Sequence, residues 1–327
     1  MKGSAPSRWR TGSILNFHCP ESSVSISLAT SDLSFIKQIG TVMINTTDFY
    51  SFRHGEFGIT VLSDGASTHG EEDNTAQIHT FETNPSRDVS GADEIALVPS
   101  NIPLIVTSDE VVLIDVGAGE KKSENAGLLE GNLGRIGVRS SDVTLIIITH
   151  AHPCHVWGLV RADGSLRYEN ARYVMSAAEW AFWMEGTDQA STDYERLTGS
   201  ITKQTLKAVL GRITLVEDGD EILPGLRVLS STGHTPGHIS VILESEIPLI
   251  ITGDAVASDV VSFEHPDWSF GFDLDSEQAG RTRRHLLARA DEERAKLLGF
   301  RWQYPGVGRA ERSGSAFRLR RVSEAVR

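Results

Sequence analysis

The strongest apolar run in the chain, Val143–Ile148, leads straight into Thr-His-Ala-His-Pro-Cys-His-Val-Trp-Gly-Leu at 149–159. Apart from Thr144 the run is apolar, the pattern of a strand covered on both faces. Three of the 11 histidines cluster at its exit. Each imidazole nitrogen kept from water needs a partner, so a buried cluster of this kind has to be a built one. His150 and His152 are two apart, and an extended segment aims both to one side. Two imidazoles converging at a strand's end are a natural start for a Zn²⁺-type site.

At 327 residues the chain has room for one large α/β domain or two smaller ones. Its 39% hydrophobic and 23% charged content is that of a globular protein. The formal net charge of −13 argues against nucleic acid as a partner, because phosphate binding needs a basic face. The locally basic stretch 309–327 reads as a solvated tail or an edge strand. Two cysteines, Cys19 and Cys154, do not make a disulfide framework. No stretch approaches about 18 apolar residues, so no membrane span is expected. Ser22–Phe35 is too interrupted by Ser, Thr and Asp for the apolar core of a signal sequence, and the expected location is the cytoplasm. Residues 1–45 show no clear periodicity. They read as an N-terminal extension ahead of a single domain at 46–327.

Phe57–Leu62 reads as a strand closing on a turn at Ser63-Asp64-Gly65, and 66–94 as a long polar loop. Pro103–Val106 and Val111–Val116 have the pattern of a hairpin, followed by a helix over 123–136. Arg172–Met175 is a short strand, after which Ser176 and Glu179 form a capping box for a helix carrying Trp180 and Trp183. A helix over 193–210 follows, then strands at Ile213–Val216, Leu226–Ser230, Ile239–Leu243 and Pro248–Ile251. Asp275 with Gln278 opens a helix through about Ala290, and Ala316–Val322 is a final strand. This succession predicts an α/β fold of sheets covered by helices.

Three further segments offer ligands in loops after strands. Gly233-His234-Thr235-Pro236-Gly237-His238 is a tight turn able to hold His234 inward. Asp254 stands at the exit of the strand ending at Ile251, and Phe263-Glu264-His265-Pro266-Asp267-Trp268 is a polar-aromatic loop. His150, His152, His234 and Asp254 together would satisfy one Zn²⁺ and leave a position for water.

These motifs resemble the metallo-β-lactamase superfamily, from about Phe57 to the C-terminus. The pattern His-x-His-x-Asp-His, then Gly-His-Thr-Pro-Gly-His, then Gly-Asp after a strand, is matched at His150, His152, His155, His234 and Asp254. Leu-Ser-Asp-Gly near 62, Leu-Ile-Asp-Val-Gly-Ala-Gly at 113–119 and His-Pro-Asp-Trp at 265–268 resemble the branch holding methyl parathion hydrolase and several N-acyl-homoserine lactonases. The resemblance implies a four-layer αβ/βα sandwich with a metal site at the open edge between two sheets. It implies a first metal on His150, His152 and His234, with Asp254 as bridging carboxylate. The second metal would fall to the positions of Cys154, His155 and Arg301. Two of those depart from the family: Cys154 replaces an aspartate, and Arg301 replaces a histidine. A guanidinium stays protonated and cannot coordinate.

Three readings follow. One Zn²⁺ sits on the histidines and Asp254, while Arg301 stands in for the second cation and stabilises a substrate oxygen. Alternatively, Cys154 as thiolate joins His155 and Asp254 in a rebuilt second site, giving two metals. Alternatively, the fold is a non-catalytic binding or sensor protein. In the first reading a Zn-bound hydroxide attacks a hydrophobic ester, lactone, phosphotriester or activated aromatic substrate. Asp254 then orients the nucleophile, His155 shuttles a proton and Arg301 stabilises charge. Trp157, Trp268 and Phe272 are candidate pocket walls for this small-molecule substrate. Relatives in the branch imply a homodimer.

Overall fold

The computed structural model describes residues 49–68, 97–121, 126–186, 193–268, 270 and 272–321. The expected extension at 1–45, and all of the expected loop beyond Thr68, lie outside these residues.

The described strands form two seven-stranded sheets. The first runs in sequence order: β1 (Phe49–His54), β2 (Phe57–Thr68), β3 (Leu97–Val106), β4 (Val111–Ile114), β5 (Leu145–Ile147), β6 (Arg172–Ser176) and β7 (Ile213–Val216). β1 to β4 pair antiparallel and β4 to β7 parallel. The second holds β8 (Glu221–Leu223), β9 (Leu226–Ser230), β10 (Ile239–Leu243), β11 (Leu249–Ile251), β12 (Lys296–Leu298), β13 (Val307–Ser313) and β14 (Ala316–Arg321). It is antiparallel except for the β11–β12 pair.

Alternation along each strand assigns its side chains to layers. Val112, Ile114, Leu145 and Ile147 face Val228, Val241, Leu249 and Ile251 between the sheets. Leu113 and Ile146 point the other way, onto α1 (Leu129–Arg135), α3 (Ala177–Glu185) and α4 (Asp193–Ala208) through Leu133, Trp183 and Leu206. Ile242, Ile250 and Leu297 pack outward on the short α5 (Val261–Glu264) through Phe263 and on α6 (Ser276–Glu292) through Leu286 and Leu287. The order of layers is helix, sheet, sheet, helix, as the resemblance implies. Among the described residues no helix is long and apolar enough to cross a membrane.

The expected turn at Ser63-Asp64-Gly65 is instead a register shift inside β2, between Ser63 and Ala66. Buried Asp64 holds this kink by accepting from the backbone N–H of Ala118 and Leu129 at 2.9 Å each. The second contact also fixes where α1 begins. Gly127, at φ +80°, stops any earlier start, so the helix expected from 123 opens at Leu129. The site lies where the C-terminal ends of β4, β5, β9, β11 and β12 release their loops.

Candidate metal centre

β5 ends at Ile147, and after a bend at Thr149 the chain runs out of the sheet to His152. Pro153 then opens a short helix, α2 (Pro153–Val156), with extended His152 before it. This turn sends Cys154 and His155 to the opposite side of the cluster from His152. His234 comes from the tight turn after β9, where Gly233 has φ +125° and its N–H donates to the Thr235 carbonyl. Asp254 sits in a 3₁₀ turn, Gly253–Val256, directly after β11. Arg301 follows β12.

Three imidazole nitrogens meet. His152 Nδ1 is 3.0 Å from His150 Nε2 and 3.0 Å from His234 Nε2. Asp254 Oδ2 completes the group at 3.8 Å from His150 Nε2 and 3.6 Å from His234 Nε2. The outer nitrogens fix the tautomers. Thr149 Oγ1 donates to Asp115 Oδ2 at 2.7 Å, so at 3.1 Å it accepts from His150 Nδ1. His234 Nδ1 donates to Asp273 Oδ1 at 2.9 Å. Both Nε2 lone pairs therefore point inward. A proton on His152 Nδ1 satisfies only one of them, whereas a cation satisfies all three. Donors around tetrahedral Zn²⁺, with Zn–N of about 2.0–2.1 Å, stand roughly 3.3 Å apart, close to the spacing here. Burial first, and then the neighbouring rings, holds His150 and His152 well below the ordinary imidazole range, in the neutral form a metal requires. The residues present fit a zinc ion.

The other side of Asp254 has a different character. Arg301 Nε lies 3.2 and 3.1 Å from the two Asp254 oxygens, and Nη2 is 3.1 Å from Oδ2. The same Nη2 donates to Cys154 Sγ at 2.7 Å. Burial opposes the charge of Asp254, but Arg301 and His155 hold its carboxyl well below the usual range. His155 spans two carboxylates, with Nδ1 2.7 Å from Asp115 Oδ2 and Nε2 3.2 Å from Asp254 Oδ2. Burial again opposes charge there, yet Asp254, Cys154 and Asp115 raise His155 well above the ordinary range. His150, His155 and Asp254 also lie close enough to share an ion. Arg301 already lies against Asp254 on that side, so the three-histidine group is the better donor set.

The structure thus brings together His150, His152, His155, His234, Asp254, Cys154 and Arg301. The aromatic candidates are more dispersed. Trp157 is buried in the first core, its Nε1 donating to Thr202 Oγ1 at 3.2 Å. Trp268 is half-buried and stacks on His265 at 3.7 Å. Phe272 is 59% exposed, one residue before Asp273. The ring beside His152 is Trp183, edge-on at 5.9 Å.

Four supporting residues escape the sequence reading of the site. Asp115, at φ +62°, holds Thr149 and His155. Asp273 orients His234 and is itself held by buried Arg283 at 3.1 Å. Arg283 also donates to the carbonyls of Ala255, Pro266 and Trp268. Glu179 is the fourth. The capping box at Ser176 is only half formed: Ser176 Oγ accepts from Glu179 N, while the Glu179 carboxylate points into the site's support. Asp115 lies in the 113–119 motif and Glu179 in a capping pattern, which a turn or cap explains equally well; Asp273 and Arg283 carry no such signal.

A family model described as the metallo-beta-lactamase superfamily matches residues 95–299. The chain belongs to the metallo-β-lactamase superfamily. Two curated superfamily relatives are N-acyl homoserine lactonases. That of Bacillus sp is 26% identical over 175 residues, 46% of this chain and 62% of the relative. That of Bacillus cereus is 25% identical over 162 residues, 44% of this chain and 57% of the relative. The chain thus spans less than two thirds of the length of these relatives. Among solved structures, the dizinc quorum-quenching lactonase AidC, in complex with a product, superposes with a TM-score of 0.75 at 25% identity. That match covers 85% of this chain and 99% of AidC. The hydrolase AbOPH superposes with a TM-score of 0.76 at 23% identity over 86% of this chain and 100% of its own, a likeness of fold.

Proposed function

We propose that this superfamily member is a metal-dependent hydrolase with one zinc ion, in which Arg301 takes the place of a second cation, acting on a hydrophobic lactone or ester. The observation that carries the reading is the asymmetry about Asp254. Neutral lone pairs converge on one side, and a guanidinium 3.1 Å away occupies the other. The Bacillus lactonases and AidC support a lactone over a phosphotriester or an activated aromatic.

His150, His152, His234 and Asp254 would hold the zinc. When bound, the ion supplies Lewis acidity that makes water a nucleophile near neutral pH. Asp254 stays ionised because Arg301 and His155 sit against it, so it accepts a hydrogen bond from the attacking water and orients it. His155 keeps a proton between Asp115 and Asp254 and is the acid for the departing alkoxide. Hydrolysis adds one water across the acyl C–O bond: the carbonyl carbon gains the hydroxyl, the leaving oxygen takes the proton from His155, and the water's own proton passes by way of Asp254 to restore His155. Arg301 commits Nε and Nη2 to Asp254 and Cys154, and Nη1 remains for the charge growing on a substrate oxygen. Phe272 and Trp268, on the loop leading to Asp273, offer apolar surface to the substrate's acyl part. The reading also takes the protein as a cytoplasmic homodimer.

The test is turnover of N-acyl homoserine lactones, aryl esters and a phosphotriester, before and after a chelator, then after zinc is restored. Chelator-sensitive lactone or ester hydrolysis that zinc restores is expected. A zinc-loaded protein inert to the whole panel would point instead to a binding protein on this fold.

A further inference from the structure

Glu179 is fully buried and touches no substrate or metal position. It lies in the first turn of α3, outside every ligand motif. Its two oxygens divide between the two segments that carry the three histidines. Oε1 accepts from Ala151 N, between His150 and His152, at 2.9 Å, and from Trp183 Nε1 at 2.7 Å. Oε2 accepts from Thr235 Oγ1 at 2.6 Å and from Gly237 N at 3.2 Å, both just after His234.

The helix end is docked on the same turn. Ser176 Oγ accepts from Glu179 N at 3.0 Å and donates to the Gly237 carbonyl at 2.5 Å. A Cβ on Gly237 would stand 1.9 Å from Glu179 N, so only glycine lets the His234 turn seat this closely. Four donors meet one carboxylate, which has the lone pairs for all of them. A glutamine presents an amide N–H₂ to one donor pair and leaves that segment's donors facing another donor.

We propose that Glu179 is a positioning residue: its carboxylate ties the His150/His152 segment to the His234 turn and so sets the spacing at which the three imidazoles receive zinc. The proposal rests on the reading that these histidines bind zinc. Without the tie, Ile239 N still donates to the Thr149 carbonyl at 3.0 Å, but the ends of the two segments that carry His152 and His234 lose the link nearest to them. Groups that hydrogen-bond a metal-ligating side chain directly are worth about 10–100-fold in metal affinity, and the Glu179 tie, one step further out, is expected at the lower end of that range.

The test uses the full chain, stripped with a chelator and titrated with zinc against a chromophoric competitor, alongside melting curves with and without zinc. Glu179→Gln is expected to weaken zinc binding ~10-fold or more and to shrink the zinc-induced rise in Tm. Trp183→Phe removes one donor but keeps the tie between segments, and it is expected to bind zinc within about threefold of wild type. If Glu179→Gln does not fold, Thr235→Val cuts a link to the His234 turn alone and is expected to weaken zinc binding roughly 3–10-fold. A purely structural Glu179 gives another pattern: Tm falls equally with and without zinc, zinc affinity is unchanged, and the proposal is overturned. A wild-type chain that takes no zinc overturns the metal reading itself.

Discussion

The two sides of Asp254 solve the same electrostatic problem differently. On the histidine side, Thr149 and Asp273 turn the Nε2 atoms of His150 and His234 inward beside His152 Nδ1. On the arginine side the positive charge is covalently attached. Arg301 holds Asp254 and Cys154 together, and His155 adds a second cation between Asp115 and Asp254. In the proposed reading a chelator empties one side and leaves the other unchanged. In that reading Arg301 and His155 already compensate the charge of Asp254, and one metal completes its surroundings.

This contrast makes the two sides respond differently to substitution. His152→Ala should cost the most: zinc is lost and chelator-sensitive turnover falls by ~10³-fold or more, since a Lewis acid is worth several kcal/mol of transition-state stabilisation. Cys154→Ser in parallel should retain zinc, and a large loss there would break the comparison. Arg301→Ala comes next. If it stabilises developing charge, kcat falls about 10²-fold with little change in KM, and zinc is retained, as steady-state kinetics with metal analysis would show. Asp273→Asn removes the charged partner of His234 and should weaken zinc binding by about 10-fold, read by competition with a chelator.

The smallest effect concerns Asp64, which supports the arginine side indirectly by pinning the 115–119 loop that carries Asp115. Burial pushes its carboxyl up to about 6, against the pull of the backbone N–H groups of Ala118 and Leu129. An acid whose pKa is raised on folding favours the folded state while protonated, and that contribution is lost as pH rises through the folded value. The stability of wild type relative to Asp64→Asn should therefore fall between about pH 4 and 6 and level off above. Thermal melts across that range would check it; a relative stability that rises with pH has the wrong sign.

Most of the layered fold is legible because β4, β5, β10 and β11 are short apolar runs buried on both faces. β8 and β12, at three residues each, are too short to show a period, and β12 merges with the end of α6 in Ala295-Lys296-Leu297-Leu298. β1 also escapes the sequence reading. Most of β13 falls in the basic stretch read as a solvated tail or an edge strand, and it is neither, since it pairs with both β12 and β14. The candidate ligands stand out because histidines at strand exits are uncommon and His150, His152 and His155 lie close in sequence. The supporting carboxylates are not, since Asp115, Glu179 and Asp273 gain their meaning from partners 34 or more positions away or 56 and 39 away. The short helix at Pro153 is legible only in retrospect. Its proline starts the turn that separates His152 from His155 and divides the site into its two sides.

Zinc per chain, measured by elemental analysis after zinc loading and desalting, addresses that division most directly. Wild type should carry one zinc, and Arg301→His, which replaces the fixed guanidinium with a donor beside Cys154 and His155, should rise towards two. Two zinc ions in the wild-type chain, one of them lost in Cys154→Ser, would contradict the view that Arg301 stands in for a cation.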